Sequence, residues 1–202
     1  MATSATLLAS RVPKDAPTCE VLAPQQFRPN DEQSLVAACR AGDPAGQREL
    51  YDRHCQQVYR LMHRMVGHEH ADDLTQQVFL RVIESIAKFH GRSTLSTWLY
   101  RLATNEALQF LRRRARRTAQ PLIADPPDHR TPSDLRLDAR ELLERALANL
   151  EPDLRATFLL REVEQLSYYD IAVVLDIAEG TVASRLNRAR QLLRASISLC
   201  DN

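Results

Sequence analysis

The sequence predicts an all-α protein of two helical domains joined by a proline-rich tether, on three observations. Glycine is scarce, at five in 202 residues, and aromatics make up 5%, too few for the turns and aromatic strand positions of a β-sandwich or barrel. Apolar residues recur at helical intervals from Asp31 to Arg117, and again after Ser133. Between these blocks, residues 119–133 hold Pro121, Pro126, Pro127 and Pro132 with Asp125 and Asp128. No helix survives that many prolines, so the segment is a linker.

The elements follow in order. Residues 1–30 carry Pro13, Pro17, Pro24 and Pro29 without a helical period and are expected to form a disordered arm. From Asp31, Leu35, Val36 and Cys39 lie at helical spacing, and Gly42 offers a left-handed stop. Asp43-Pro44 restarts a helix with a cap and a first-turn proline. That helix runs through Leu50, Val58, Leu61, Met62 and Met65 to Gly67. A third helix, from about Ala71 to Lys88, carries Leu74, Val78, Phe79, Val82, Ile83 and Ile86. Gly91 breaks it, and Ser93 or Thr94 caps a fourth helix from Leu95 to about Arg117, with Trp98 mainly in the core. After the linker, a second helical block runs from Asp134 to Leu199, which sets the two domains at residues 31–118 and 134–199.

The net charge of +1 conceals a segregation of charge. Residues 101–118 balance at +5 and residues 179–194 at +3, while residues 141–166 balance at −3. A near-neutral total therefore leaves room for basic surfaces that meet nucleic acid. Of the 27 basic residues only Lys14 and Lys88 are lysines. The arginine fork suits phosphate and guanine, although a GC-rich genome gives the same bias.

Other chemistries find little support. Cys19, Cys39, Cys55 and Cys200 show no C-x-x-C spacing, as expected of thiols in a reducing compartment. His63, His68 and His70 cluster without the cysteines or carboxylates of a zinc signature, so no metal and no cofactor is expected. No nucleophile–base pair or phosphate loop stands out, and an enzyme is not expected. No apolar run reaches the length of a membrane span, and residues 1–10 lack the charged start of a signal peptide. A cytoplasmic protein without membrane insertion is the expectation.

The C-terminal block reads as helix, short helix, tight turn, longer helix. Ser167-Tyr168-Tyr169-Asp170 fits a capping box, with Asp170 reaching toward the Ser167 amide. Asp176 to Glu179 form the turn, and Gly180-Thr181 opens the last helix. There Val182, Leu186, Ala189 and Leu193 share one face, leaving Ser184, Arg185, Asn187, Arg188 and Gln191 pointing outward. Small and polar groups followed by arginines suit a major groove; a solvated helix face is the alternative. In the N-terminal block, Phe89-His90-Gly91-Arg92-Ser93-Thr94 forms a glycine-hinged polar loop before a helix with Trp98, Tyr100 and Asn105. That helix ends in Arg112-Arg113-Arg114-Ala115-Arg116-Arg117. A basic helix with an adjoining loop and aromatics can hold a strand whose bases unstack; a core tryptophan with a solvated basic terminus is the plainer alternative.

Four blocks, in order, resemble the extracytoplasmic-function (ECF) sigma factors of bacterial RNA polymerase. Asp72-Asp73-Leu74-Thr75-Gln76-Gln77-Val78-Phe79 resembles the core-polymerase-binding segment, Phe89 to Asn105 the minus-ten region, the arginine run the end of that domain, and Gly180 to Arg190 the minus-thirty-five recognition helix. The resemblance spans residues 31–199 and implies a region 2 domain, the linker and a region 4 domain. It implies core-polymerase contacts at Asp72, Asp73, Gln76, Gln77 and Arg81, with the clamp helices as the docking surface of the first domain and the polymerase flap as a further partner surface. Minus-ten contacts would fall on Phe89, Gly91, Arg92, Ser93, Ser96 and Asn105, with Arg112, Arg113, Arg114, Arg116 and Arg117 along the backbone. Minus-thirty-five contacts would fall on Thr181, Ala183, Ser184, Arg185, Asn187 and Arg188. It also implies an anti-sigma factor as partner, and a linker threading the RNA path with Asp125 and Asp128 in place of phosphates. The chain departs from the family where Gln77 and His70 replace usual acids and where Ala183 replaces a polar or basic residue. A duplex-binding helix-turn-helix regulator and a helical interaction protein without DNA binding remain the competing classes.

Overall fold

The structure is a computed structural model, which describes residues 29–119 and 139–198. Within them lie α1 (Pro29–Arg40), α2 (Pro44–Val66), α3 (His68–Ser85), a 3₁₀ turn (Ile86–Lys88), α4 (Leu95–Ala119), α5 (Ala139–Ala148), α6 (Pro152–Glu162), α7 (Tyr168–Leu175) and α8 (Glu179–Ser198). The all-α prediction holds, with no strand among the described residues. The greater part of the N-terminal arm and of the linker, with Asp125, Asp128, Cys19 and Cys200, lies outside the described residues.

The local punctuation acts as the sequence requires. Gly42 takes φ +75° and ends α1, a backbone state that costs glycine little. The Asp43 carboxylate accepts from the Ala45 and Gly46 amides at 3.1 and 3.3 Å, capping α2 above the first-turn proline. Gly67, at φ +89°, lets α2 turn directly into α3. Thr94, of the two cap candidates, accepts from the Thr97 amide at 3.1 Å. Ser167 Oγ likewise accepts from the Asp170 amide at 3.0 Å. One expectation is corrected here: the Asp170 carboxylate takes the Ser167 hydroxyl at 2.5 Å rather than the amide, because that hydroxyl already lies beside it in the cap.

The first half packs α1, α3 and α4 around α2. Leu50, Val58, Leu61, Met62 and Met65 of α2 are buried against Val78 and Val82 of α3 and Leu99 and Ala103 of α4. In the second half, Leu159 and Leu160 of α6, Ile171 and Val174 of α7, and Val182, Leu186, Ala189 and Leu193 of α8 form the core, which confirms the face assigned to the last helix. Burial of such side chains supplies about 1.5–3 kcal/mol each before chain entropy is charged against it.

The two halves meet: α4 packs on α7 and α6, and α2 on α5 and α6. Arg155 of α6 seals the junction. It is 9% exposed, and its guanidinium donates to Met65 O at 2.6 Å, to Leu150 O at 3.2 Å and to Ala148 O. Tyr100 of α4, also buried, donates its hydroxyl to the Glu164 carboxylate just after α6.

Two outcomes follow from these buried polar groups. Arg155→Ala strips three carbonyls of a charged donor and is expected to destabilise the chain by about 2–4 kcal/mol in urea unfolding. His54, buried in α2, has its imidazole pKa lowered chiefly by burial. The unfolded chain then takes up the proton first, so stability falls as pH drops from about 6.5 toward the lower folded value. His54→Leu is expected to flatten the stability difference between pH 7.5 and pH 5.5.

Candidate nucleic-acid interface

On α3, Asp72, Asp73, Gln76 and Gln77 are all exposed, while Leu74, Thr75 and Val78 face inward. Leu80, 42% exposed, lies on the same outer stripe as Asp73, Gln76 and Gln77, at helical spacings of three, four and seven. Leu80 was missed in the sequence, although its register with Asp73, Gln76 and Gln77 is visible there. Arg81 is placed differently. Its guanidinium lies 2.6 Å from the carboxylate of Glu106, a side chain only 5% exposed, so it braces α3 against α4. His70 is half-buried, its ring 4.8 Å from that of Phe110, a packing role that a carboxylate could not fill.

The loop between the 3₁₀ turn and α4 turns at Gly91, which has φ +68°. Arg92 is exposed, and Ser93 and Ser96 are half-buried. Phe89 is 6% exposed, with its ring 5.4 Å from that of half-buried Trp98. It shapes the loop from beneath. α1 holds both ends of this loop: the Glu32 carboxylate accepts from the Leu95 amide at 2.6 Å, and Arg40 donates to Phe89 O. These two residues were missed in the sequence because they lie 63 and 49 positions from their partners.

Glu106 points into the core and Asn105 points out. One turn apart on that outer face lie Asn105, Gln109 and Arg112. They line a cleft of about 290 Å³ together with Leu108, Asp153, Leu175, Ile177 and Arg185. Arg113, Arg114, Arg116 and Arg117 extend the basic face as exposed side chains, and Arg113 Nε donates to Gln109 O at 3.3 Å.

Helix α8 opens at Glu179, with Asp176 in the left-handed region at φ +55° making the turn after α7. Ser184, Asn187 and Arg188 are exposed, and Thr181 and Ala183 are half-buried. Ser184 Oγ donates to Thr181 O at 3.0 Å. Arg190 is committed elsewhere: it meets the Glu162 carboxylate at 2.6 Å, which ties α8 to α6. Arg185 lies 3.9 Å from the Asp153 carboxylate, which also stands 3.8 Å from Arg112. One anion thus sits between the basic end of α4 and the start of α8. Among the described residues, no group of three or more His, Cys, Asp or Glu is disposed to hold a metal, and no helix is long and apolar enough to cross a membrane.

The Sigma-70 region 2 family matches residues 50–117 and the Sigma-70 region 4 family matches residues 140–193. The chain is 38% identical to the ECF RNA polymerase sigma factor SigE of Mycolicibacterium smegmatis, over 82% of this chain and 68% of that protein. It is 34% identical to the ECF RNA polymerase sigma-E factor of Haemophilus influenzae, over 82% of this chain and 95% of that protein. The chain belongs to the ECF sigma factors. Its function is therefore promoter-specific transcription initiation, and the two helical domains are sigma regions 2 and 4. The fold is also that of the sigma factor RpoE solved in complex with the anti-sigma factor NepR from Bartonella quintana. That likeness has a TM-score of 0.57 at 23% identity, covering 84% of this chain and 97% of the other.

The junction between sigma regions 2 and 4 has a pH signature. Burial first, and the Glu164 carboxylate second, raise the Tyr100 phenol well above the usual tyrosine range. The unfolded chain ionises near pH 10 while the folded chain keeps its proton, so stability falls as pH rises beyond about 10. Tyr100→Phe is expected to reduce that alkaline slope in denaturant titrations between pH 8 and pH 11.

Proposed function

We propose that this ECF sigma factor divides promoter recognition between α4 with its preceding loop, which receive the minus-ten element, and α8, which reads the minus-thirty-five element. The observation that carries this reading is the exposed face of α4, where Asn105 stands one helical turn from Gln109 and two from Arg112, and the arginine run continues outward. An amide presents a donor and an acceptor together, and so matches a base edge. Arginines beyond it neutralise backbone phosphates, contacts that position the strand without reading its sequence. Gly91, Arg92, Ser93 and Ser96 form the rim against which an unpaired base lodges, over a floor made by Phe89 and Trp98. On α8, Ser184, Asn187 and Arg188 project from the first turns as base-edge and phosphate contacts, with Thr181 and Ala183 beside them.

The face of Asp72, Asp73, Gln76 and Gln77 on α3 docks on the clamp helices of core polymerase, with Leu80 as its apolar contact and Arg81 holding the face in register with α4. Region 4 meets the polymerase flap. An acidic and amide-rich surface suits a basic partner, for which charge complementarity speeds and orients encounter. The chain supplies no catalytic group; polymerase performs the chemistry, in the cytoplasm. An anti-sigma factor is the regulatory partner this reading implies, since the sigma factor of similar fold was solved with one.

Transcription reconstituted with core polymerase tests the division of labour. Asn105→Ala is expected to abolish open-complex formation while minus-thirty-five binding is largely kept. Arg188→Ala is expected to weaken promoter recruitment by about 1–3 kcal/mol, the range for loss of a bidentate base contact. Equal losses in both assays for both variants would refute it.

A further inference from the structure

We infer that Glu32 and Arg40 of α1 are positioning residues for the minus-ten loop, setting from both ends the geometry in which it discriminates bases. The inference deepens the proposed role of that loop and rests on it. α1 lies outside the region 2 match at residues 50–117, and neither residue belongs to a base-contacting or polymerase-contacting set.

The geometry is specific. The loop leaves the 3₁₀ turn at Phe89 and enters α4 at Leu95. At its exit, the half-buried Glu32 places Oε1 2.6 Å from the Leu95 amide. That amide is one of the donors a helix start leaves unsatisfied, and a carboxylate there is also favoured by the helix dipole. Thr94 takes the Thr97 amide at 3.1 Å, so Glu32 and Thr94 satisfy different donors and neither replaces the other. At the loop's entrance, Arg40 donates to Phe89 O and, through a longer contact of 3.5 Å, to Ile86 O. One planar fork thereby holds the 3₁₀ turn and the first loop residue, a geometry the single ammonium of lysine does not reproduce. Between the two anchors only Gly91, at φ +68°, relieves the backbone.

α1 can act as this clamp because it is itself fixed. Leu35, Val36 and Cys39 are buried. At Gly46 the backbone of α2 approaches α1 so closely that a Cβ there would stand 2.6 Å from that of Ala38. The Glu32 and Arg40 side chains therefore extend from a helix with little freedom to shift. A base-receiving loop held at both ends is preorganised, so its ordering is not charged against each binding event.

The test uses holoenzyme carrying Glu32→Gln, Arg40→Ala, Arg40→Lys or Asn105→Ala. Open-complex formation is measured on a cognate promoter and on the same promoter with single-base changes across the minus-ten element. The reported quantity is the ratio of cognate to substituted rates, which a change in active fraction leaves untouched. We expect Glu32→Gln and Arg40→Ala to lower this ratio at least fivefold at one or more positions, with core-polymerase binding within twofold of the parent. Arg40→Lys should recover part of the loss. A ratio unchanged in the α1 variants, with open-complex formation abolished in Asn105→Ala, overturns the clamp and leaves the minus-ten reading standing. A ratio unchanged in the α1 variants, with Asn105→Ala still opening the promoter at the parent rate, overturns both. A uniform loss of rate with an intact ratio assigns Glu32 and Arg40 to folding alone and likewise overturns the inference.

Discussion

A buried cation at the meeting point of two helix ends organises this molecule. Met65 lies one residue from the end of α2, and Ala148 is the last residue of α5. Their carbonyls are among those a helix leaves without an internal partner, at the negative end of its dipole. Arg155 reaches both and takes in Leu150 O as well. Burial lowers its pKa, yet a guanidinium starts so high that it stays charged. Removing it would leave three acceptors facing each other without a donor, so its position fixes where α6 must lie. α7 and α8 then follow, because both pack on α6.

The placement of α6 has an electrostatic result. Asp153, two residues before Arg155, is carried to a point between Arg112 of region 2 and Arg185 of region 4. All three side chains are partly solvated, so the attraction is worth little as stability. It does neutralise part of each basic surface at once. The near-neutral total comes from composition, and arrangement sets where it cancels: Asp153 of the second half stands between an arginine of each half.

What was legible in the sequence had local causes. Asp43-Pro44, Gly42, Gly67 and Gly91 act through their own backbone chemistry, and each element boundary near them fell within a few residues of its expected place. The face of α8 was legible for the same reason, since the periodicity of Val182, Leu186, Ala189 and Leu193 is a property of one helix. The remainder was illegible because its causes are distant in the chain. Nothing near Arg81 announces that Glu106 awaits it across the α3–α4 seam. Nothing near Arg155 shows that Met65, 90 positions earlier, will supply a carbonyl. Phe89 entered as a minus-ten contact through the family resemblance alone, and nothing in its own neighbourhood of the sequence shows that its ring is buried beside that of Trp98, nine positions on.

α4 runs unbroken for 25 residues, about 38 Å at the rise of an α-helix. It carries Tyr100, held to the second half, near one end and the arginine run at the other. Asn105 and Arg112 are seven residues apart, about 10 Å along the axis, which corresponds to about three nucleotides of one DNA strand at its duplex rise. With no glycine, proline or bulge between them, that interval is a ruler. On the proposed reading, a promoter strand that seats a base at Asn105 would have its phosphates measured off by the same rod.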